Sequence, residues 1–384
     1  MTRLRARLPR DLHPVAWWVW ALGLAAAASL TTNPLALLPL MVGAWVVVTA
    51  RRSDHPWARS FRLYVGLGVA IVVIRLLFRV LFGGLDGGHV LLDLPEVPLP
   101  DWVAGVRLLG PVTRESLLFG LYDGLRLAAI VVCVGAANSL ANPKRLLKSV
   151  PPALYEIGTA LVVSVTIFPQ LADSLRRVRA AQALRGGATG RVARLRRLLV
   201  PVLEDALERS LALAAGMDTR GYGRPAGRSR HERAVTGALL LAGLCGICVG
   251  VYAVLDTTAP RLLAGPMVLA GTALAVVGLW SAGRRVSRTR YRPDRWRAAE
   301  AVVAGSGVLV AVVTWWVAGS DLAVAHPGVE AVPTLSLTAL VGLLVGVVPA
   351  VAAPPPARPV AARAVPPAAL PVGVSRPELV EVAS

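Results

Sequence analysis

Residues 63–82 read LYVGLGVAIVVIRLLFRVLF, twenty residues whose only charges are Arg75 and Arg79. A helix rises 1.5 Å per residue, so this stretch covers roughly 30 Å, the thickness of a bilayer's hydrocarbon core. Working outward, similar blocks occupy residues 15–30, 35–50, 117–140, 234–255, 262–282, 298–318 and 333–352. The first two are short and flank a turn at Thr31-Thr32-Asn33-Pro34. The fold class expected is therefore all-α, a polytopic membrane helical bundle. Composition agrees: hydrophobic residues make up 55% of the 384 residues and charged residues only 16%, where a soluble domain carries about a quarter charged.

Lysine and arginine outnumber acids 41 to 22, a formal net charge of +19. Such a balance suits either nucleic acid or cytoplasmic loops of a membrane protein. The apolar blocks decide for the second, so no nucleic-acid partner is expected. Eight alternating spans put every arginine-rich loop on one side: residues 3–10, 51–62, 144–233 and 284–297. The other side receives Asp86, Asp93, Glu96, Asp101, Asp256, Asp321 and Glu330. The positive-inside rule makes the basic side cytoplasmic, with both termini there. A bacterial plasma membrane is the expected location. This parity requires residues 151–172, also apolar, to lie in or dip into the cytoplasmic leaflet without crossing.

The basic start at residues 1–10 precedes an apolar run longer than a signal peptide's, and it reads as a retained first span. Residues 83–115, acidic and rich in Gly and Pro, read as irregular, partly ordered outer structure, and the Pro- and Ala-rich tail from 354 as disordered. The blocks divide the chain into an N-terminal transmembrane bundle (1–140), a cytoplasmic module (141–233), C-terminal transmembrane helices (234–352) and a tail (353–384).

The cytoplasmic module carries two amphipathic helical patterns. In the first, from about 170 to 184, Leu171, Leu175, Val178 and Gln182 share a face, and Arg185-Gly186-Gly187 ends it. The second starts at Pro201, suited to a first helical position, with Glu204 and Asp205 in the turn where the helix dipole favours acids. Leu203, Leu207, Leu211 and Ala214 recur at helical spacing, and Arg220-Gly221-Tyr222-Gly223 ends it. Twice, then, a long helix finishes in Arg-Gly. A guanidinium at a helix tip presents a rigid donor fork to a partner's carboxylates. It can equally satisfy its own helix's last carbonyls or stay solvated, and the pair could also rest on anionic lipid.

At these residues the sequence resembles the transmembrane T component of energy-coupling factor transporters, the CbiQ/EcfT type. The likeness is carried by Leu199 to Leu203, Ala206 to Ser210 and Ala214 to Gly223, together with Pro169, Ala181-Gln182, Arg185-Gly186, Asn142-Pro143 and His13-Pro14. The resemblance implies two coupling helices, each ending in an Ala-Arg-Gly-like motif whose arginine docks into an ATPase subunit. Here those positions are Arg185 and Arg220, with Gly186 and Gly221 turning the chain and Gln182 and Pro201 supporting the helices. Leu184 and Thr219 stand where the family's motif has small residues. The implied partners are two ABC-type ATPase subunits, a membrane-embedded S component that captures a vitamin or transition-metal ion, and the lipid bilayer.

No G-x-x-x-x-G-K-[ST] phosphate loop is present, and His13, His55, His89, His231 and His326 are scattered. The chain is therefore expected to be a non-catalytic subunit without a cofactor or metal site. Cys245 and Cys248 have redox-motif spacing but sit inside an apolar span, as packing residues. Arg75 reads as a bundle-internal partner or an S-component contact, Arg79 as snorkelling outward, and Asp123 and Arg126 as interfacial. Trp17, Trp18, Trp20, Trp315 and Trp316 read as interfacial or packing residues. The competing classes are an autonomous secondary transporter, which would show paired mid-membrane acids or broken helices, a lipid-modifying membrane enzyme, and a membrane scaffold.

Overall fold

The structure, a computed structural model, describes residues 9–53, 60–82, 88–95, 109–149, 154–184, 190–222, 230–256, 260–284 and 294–356. It is all-α apart from one short hairpin. Among the described residues seven helices are long and apolar enough to cross a membrane. The chain is a multi-pass membrane protein, and it divides into two compact units, residues 1–141 with 296–384, and residues 142–295.

In the first unit, helices α1 (Pro14–Ser29), α2 (Pro34–Arg51), α3 (Phe61–Leu81) and α4 (Arg114–Leu140) are joined by α10 (Ala298–Ser320), α11 (Leu322–Ala325), α12 (Leu337–Val345) and α13 (Pro349–Ala352). Two X-Pro pairs start helices here by the same device. His13 Nδ1 accepts from the amide of Val15, and Asn33 Oδ1 accepts from Leu35. In each the proline takes the first position, where an N–H has no use. Helix α1 is apolar on every face and lies between α4 and α10, and most of it is buried, with Leu22 and Ala26 left exposed. Trp20, Leu24, Leu37, Leu40, Val47, Val132 and Val303 form the core.

The α1–α10 crossing depends on two glycines. A Cβ on Gly23 would stand 2.2 Å from the Gly307 carbonyl oxygen, and one on Gly307 would stand 2.4 Å from Trp20 Cα. Close backbone approach of this kind replaces the hydrophobic effect as the packing force between helices in lipid.

The expected last span, 333–352, is broken into α12 and α13 around Gly346. Pro349 has no N–H, and the Ala350 amide donates to Val347, so the Gly346 carbonyl is released from the helical ladder. The buried Trp20 Nε1–H donates to it at 3.0 Å. A broken helix in lipid is tolerated only where such a partner re-satisfies the freed group.

At one end of this unit Thr31 Oγ1 donates to Ala325 O at 2.6 Å, and Asn33 Nδ2 donates to Val324 O and Thr334 O at 2.8 and 2.7 Å. Near the start of α10, Glu300, only 1% exposed, takes Arg10 Nη1 at 2.7 Å and Nη2 at 3.1 Å and the Arg297 amide at 3.1 Å. Removing one member of a buried ion pair strands the other, on the order of 3 kcal/mol. Glu300→Ala is expected to lower the detergent-solubilised melting midpoint by several degrees, whereas Arg52→Ala, on an exposed cap, leaves it unchanged.

The partly ordered segment expected at 83–115 holds two short strands: β1 (Val90–Asp93) and β2 (Pro111–Thr113) pair antiparallel with an irregular register between Val90 and Leu92, and β2 runs directly into α4. Asp123 has a partner on α3. Arg75 Nη1 meets Asp123 Oδ2 at 3.1 Å, and the Arg79 guanidinium lies 4.5 Å from the Phe119 ring centroid. The reason is α4's glycines: with no side chain at Gly120 and Gly124, α3 comes close enough for its arginines to reach across. Arg126 donates to the Ser29 carbonyl at the end of α1.

The second unit holds α5 (Pro143–Lys148), α6 (Tyr155–Leu184), α7 (Arg191–Thr219), α8 (Arg230–Leu255) and α9 (Arg261–Arg284). Asn142 caps α5, its Oδ1 accepting from Lys144 and Arg145 at 3.0 and 3.4 Å. Arg145 also forms an ion pair with Asp294. Helices α8 and α9 form a tight hairpin in which Gly246 and Gly271 face each other. Cys245 and Cys248 are free thiols on its exposed surface, not the packing residues expected.

The expected split near 170 between a leaflet helix and a separate amphipathic helix does not occur. One helix, α6, runs through Pro169 for 30 residues. An internal proline removes one ladder bond, a loss that apolar residues on either side readily outweigh in a membrane helix.

Candidate functional site

The site expected from sequence lies at the ends of α6 and α7. Helix α7 begins at Arg191, ten residues before Pro201, which is interior and not the first helical residue. Residues 191–200 are Arg, Val, Ala and Leu, mostly strong helix formers, and they extend the helix upstream at the loss of the one bond Pro201 cannot make.

The α7 terminus is closed by a pair of backbone bonds. The Tyr222 amide donates to Met217 O at 3.1 Å and the Gly221 amide to Asp218 O at 2.9 Å, the 6→1 and 5→2 pairs of a Schellman ending. Gly221 occupies the left-handed position with φ +77, and nothing lies within 4 Å of where its Cβ would be. The requirement for glycine is thus conformational and not steric. A β-branched residue there costs about 1–2 kcal/mol. Gly221→Val is expected to speed amide exchange at residues 221 and 222 by roughly five- to thirtyfold, and Gly221→Asn by much less, read by hydrogen–deuterium exchange mass spectrometry.

Arg220 is the helix cap, exposed, and forms no ion pair with the described residues. The Met217 and Asp218 carbonyls near the end of α7 already accept from backbone amides. Arg185 and Gly186 lie outside the described residues. Gln182 is half-buried near the end of α6, on the face it shares with Leu171, Leu175 and Val178.

The two helices meet at a polar crossing that sequence reading did not single out. Asp205 accepts from Arg177 Nη2 of α6 at 3.3 Å and from Arg209 of α7 at 3.0 and 2.9 Å. The buried Ser174 of α6 lies beside it. Ser174 first, then Arg209 and Arg177, hold the Asp205 carboxyl below its ordinary range, against partial desolvation. A carboxylate depressed on folding contributes stability above its unfolded pKa, and that contribution is lost as pH falls through the folded value. The crossing therefore loosens only below the usual carboxylate range.

The leucine stripe points elsewhere. Leu203, Leu207 and Leu211 are 62%, 61% and 62% exposed, while the half-buried side of α7 carries Leu198, Val202, Asp205, Ala206 and Arg209. Both faces have helical spacing, so periodicity alone picked the more apolar one. The signal that could have found the inner face is Asp205 with Arg209, an acid and a base one turn apart on an otherwise apolar strip.

The sequence model of the CbiQ family, described as a cobalt transport protein, matches residues 5–232. The chain belongs to the CbiQ family. This family member is also similar to the energy-coupling factor transporter transmembrane protein EcfT of three bacteria. It is 24% identical to that of Lactococcus lactis subsp. cremoris over 203 residues, 49% of this chain and 69% of the relative. It is 29% identical to that of Streptococcus thermophilus over 175 residues, 42% and 62%, and 26% identical to that of Leuconostoc gelidum subsp. gasicomitatum over 207 residues, 49% and 70%. The family match takes in α1 to α7 and ends at residue 232, just inside α8. Helices α9 to α13 lie beyond it. Among the described residues no group of three or more His, Cys, Asp and Glu side chains could hold a metal ion.

Proposed function

We propose that this chain is the transmembrane coupling subunit of an energy-coupling factor importer. It transmits ATP-driven motion from two ABC-type ATPase subunits to a membrane-embedded S component, for uptake of a vitamin or transition-metal ion. The observation that carries this reading is Arg220: an exposed arginine on the tip of a 29-residue helix, with no ion pair to the described residues, followed by a glycine in the left-handed conformation. An ATPase groove lined with carboxylates would receive it as a bidentate partner. Arg185-Gly186 repeats the motif in sequence at the end of α6.

On this reading the chain is non-catalytic and hydrolysis belongs to its partners. Displacement of the two tips passes along α6 and α7, whose 30 and 29 residues span roughly 45 Å each, into the membrane helices. The distribution of arginine supports a cytoplasmic position for the tips and for both termini in a bacterial plasma membrane. The open leucine stripe of α7 offers an apolar surface to the bilayer or to the S component. The test is purification of the tagged chain in mild detergent with mass spectrometry of what accompanies it. Two nucleotide-binding subunits and a small membrane protein are expected. A single species that stimulates no ATP hydrolysis by added ATPases would instead favour an autonomous transporter or a scaffold.

A further inference from the structure

The contact between α6 and α7 includes one polar knot among half-buried apolar residues. Asp205 gathers Ser174 and Arg177 from α6 and Arg209 from its own helix. Ser174 is only 2% exposed. Away from the knot both helices bear exposed large apolar residues, from Phe168 and Leu184 on α6 to Val192, Leu203, Leu207 and Leu211 on α7. Nothing else of comparable polarity joins the pair among the described residues.

Each helix also carries a proline about one turn before the knot. Pro169 precedes Ser174 by five residues, and Pro201 precedes Asp205 by four. Each deletes one ladder bond, leaving the backbone more compliant beside the crossing than anywhere along the arms. From Asp205 to Arg220 is fifteen residues, about 22 Å of helix, and from Ser174 to the end of α6 about 15 Å. A swivel of about 10° at the knot would move the longer tip by about 4 Å on those lengths.

We propose that Asp205 is the pivot of the two arms, a positioning residue that holds α6 and α7 in one crossing register so that displacement of one tip is transmitted to the other. This rests on the coupling reading above. Ion pairs this exposed add little to stability, so the pivot acts through geometry, and removing it leaves a folded chain with disconnected arms.

The test uses the full chain in lipid nanodiscs, with Cys133, Cys245 and Cys248 replaced and spin labels at positions 183 and 215, one on each arm. Double electron–electron resonance is expected to give one narrow distance distribution in the parent. Asp205→Ala should at least double its width without shifting the melting midpoint, and Asp205→Glu should restore it. A distribution in Asp205→Ala superimposable on the parent's would overturn the pivot. In the complex with its ATPases, ATP–vanadate trapping should move the parent distance as one population and leave Asp205→Ala broad. Asp205→Ala should still retain the ATPase subunits. Their loss to the extent seen with Arg220→Glu would make Asp205 part of the docking surface and would also overturn the pivot. Absence of any ATPase from the parent complex would sink the coupling reading alone, since the resonance measurement on the isolated chain still decides the pivot.

Discussion

Arg185→Glu combined with Arg220→Glu is expected to strip the ATPase subunits from the complex while leaving membrane insertion and the melting midpoint of the chain unchanged. Arg220 sits on an exposed cap and makes no ion pair with the described residues, so its reversal breaks nothing within the fold. At an interface with carboxylates, losing a desolvated charge pair costs about 2–5 kcal/mol. For a single arm this is roughly thirtyfold to several-thousandfold in affinity. Reversal adds repulsion, and two arms acting on one ATPase pair multiply the loss through their shared effective concentration. Co-purification at ordinary salt reads the outcome. Arg220→Lys keeps the charge and loses the planar fork, so an intermediate loss separates bidentate recognition from simple attraction.

Gly307→Leu is expected to be the most damaging single substitution in the first unit. Even a Cβ at this position would meet the Trp20 backbone at 2.4 Å, inside any allowed contact. The neighbour is backbone, not a flexible side chain, so α1 and α10 must separate. Overpacking a core costs about 1–3 kcal/mol where side chains can adjust, and here they cannot. Separation also pulls Trp20 from the Gly346 carbonyl, leaving an unmet group in an apolar surround at a further ~1–3 kcal/mol. The expected result is aggregation or a fall of ten degrees or more in the melting midpoint by size-exclusion fluorescence (on the order of 2–4 °C per kcal/mol for a unit of this size). Gly305→Leu serves as control. It lies two residues away on the same helix with nothing within 4 Å, and it should behave as the parent.

The contrast between legible and illegible features follows from what each depends on. Residues 63–82 announced a membrane helix because hydropathy over twenty residues is a local property, and α3 lies within one residue of that block at its end. His13-Pro14 and Asn142-Pro143 marked true helix starts, since capping side chain and proline act within one turn. Proline failed as a signal at Pro201, where strong helix formers upstream carried the helix past it, and at Pro169, where α6 does the same. Asp205 was legible only as a first-turn acid because its partners Ser174 and Arg177 lie on another helix. The leucine stripe of α7 was visible but not its orientation, since an exposed apolar face in a membrane protein has the same periodicity as a packed one. The return of α10 to α1 rests on Gly23 and Gly307 meeting across nearly three hundred residues, a pairing that no local pattern encodes. The tip at Gly221 was legible because a left-handed turn demands glycine wherever it occurs.

The central claim, that the α7 tip docks on an ATPase, is tested most directly by photo-crosslinking from the tip. A benzophenone amino acid at position 219, exposed and adjacent to Arg220, is irradiated in native membranes and the adduct identified by mass spectrometry. One adduct with a nucleotide-binding subunit, abolished by Arg220→Glu, is predicted. Adducts with lipid or with this chain alone, unchanged by Arg220→Glu, would contradict it.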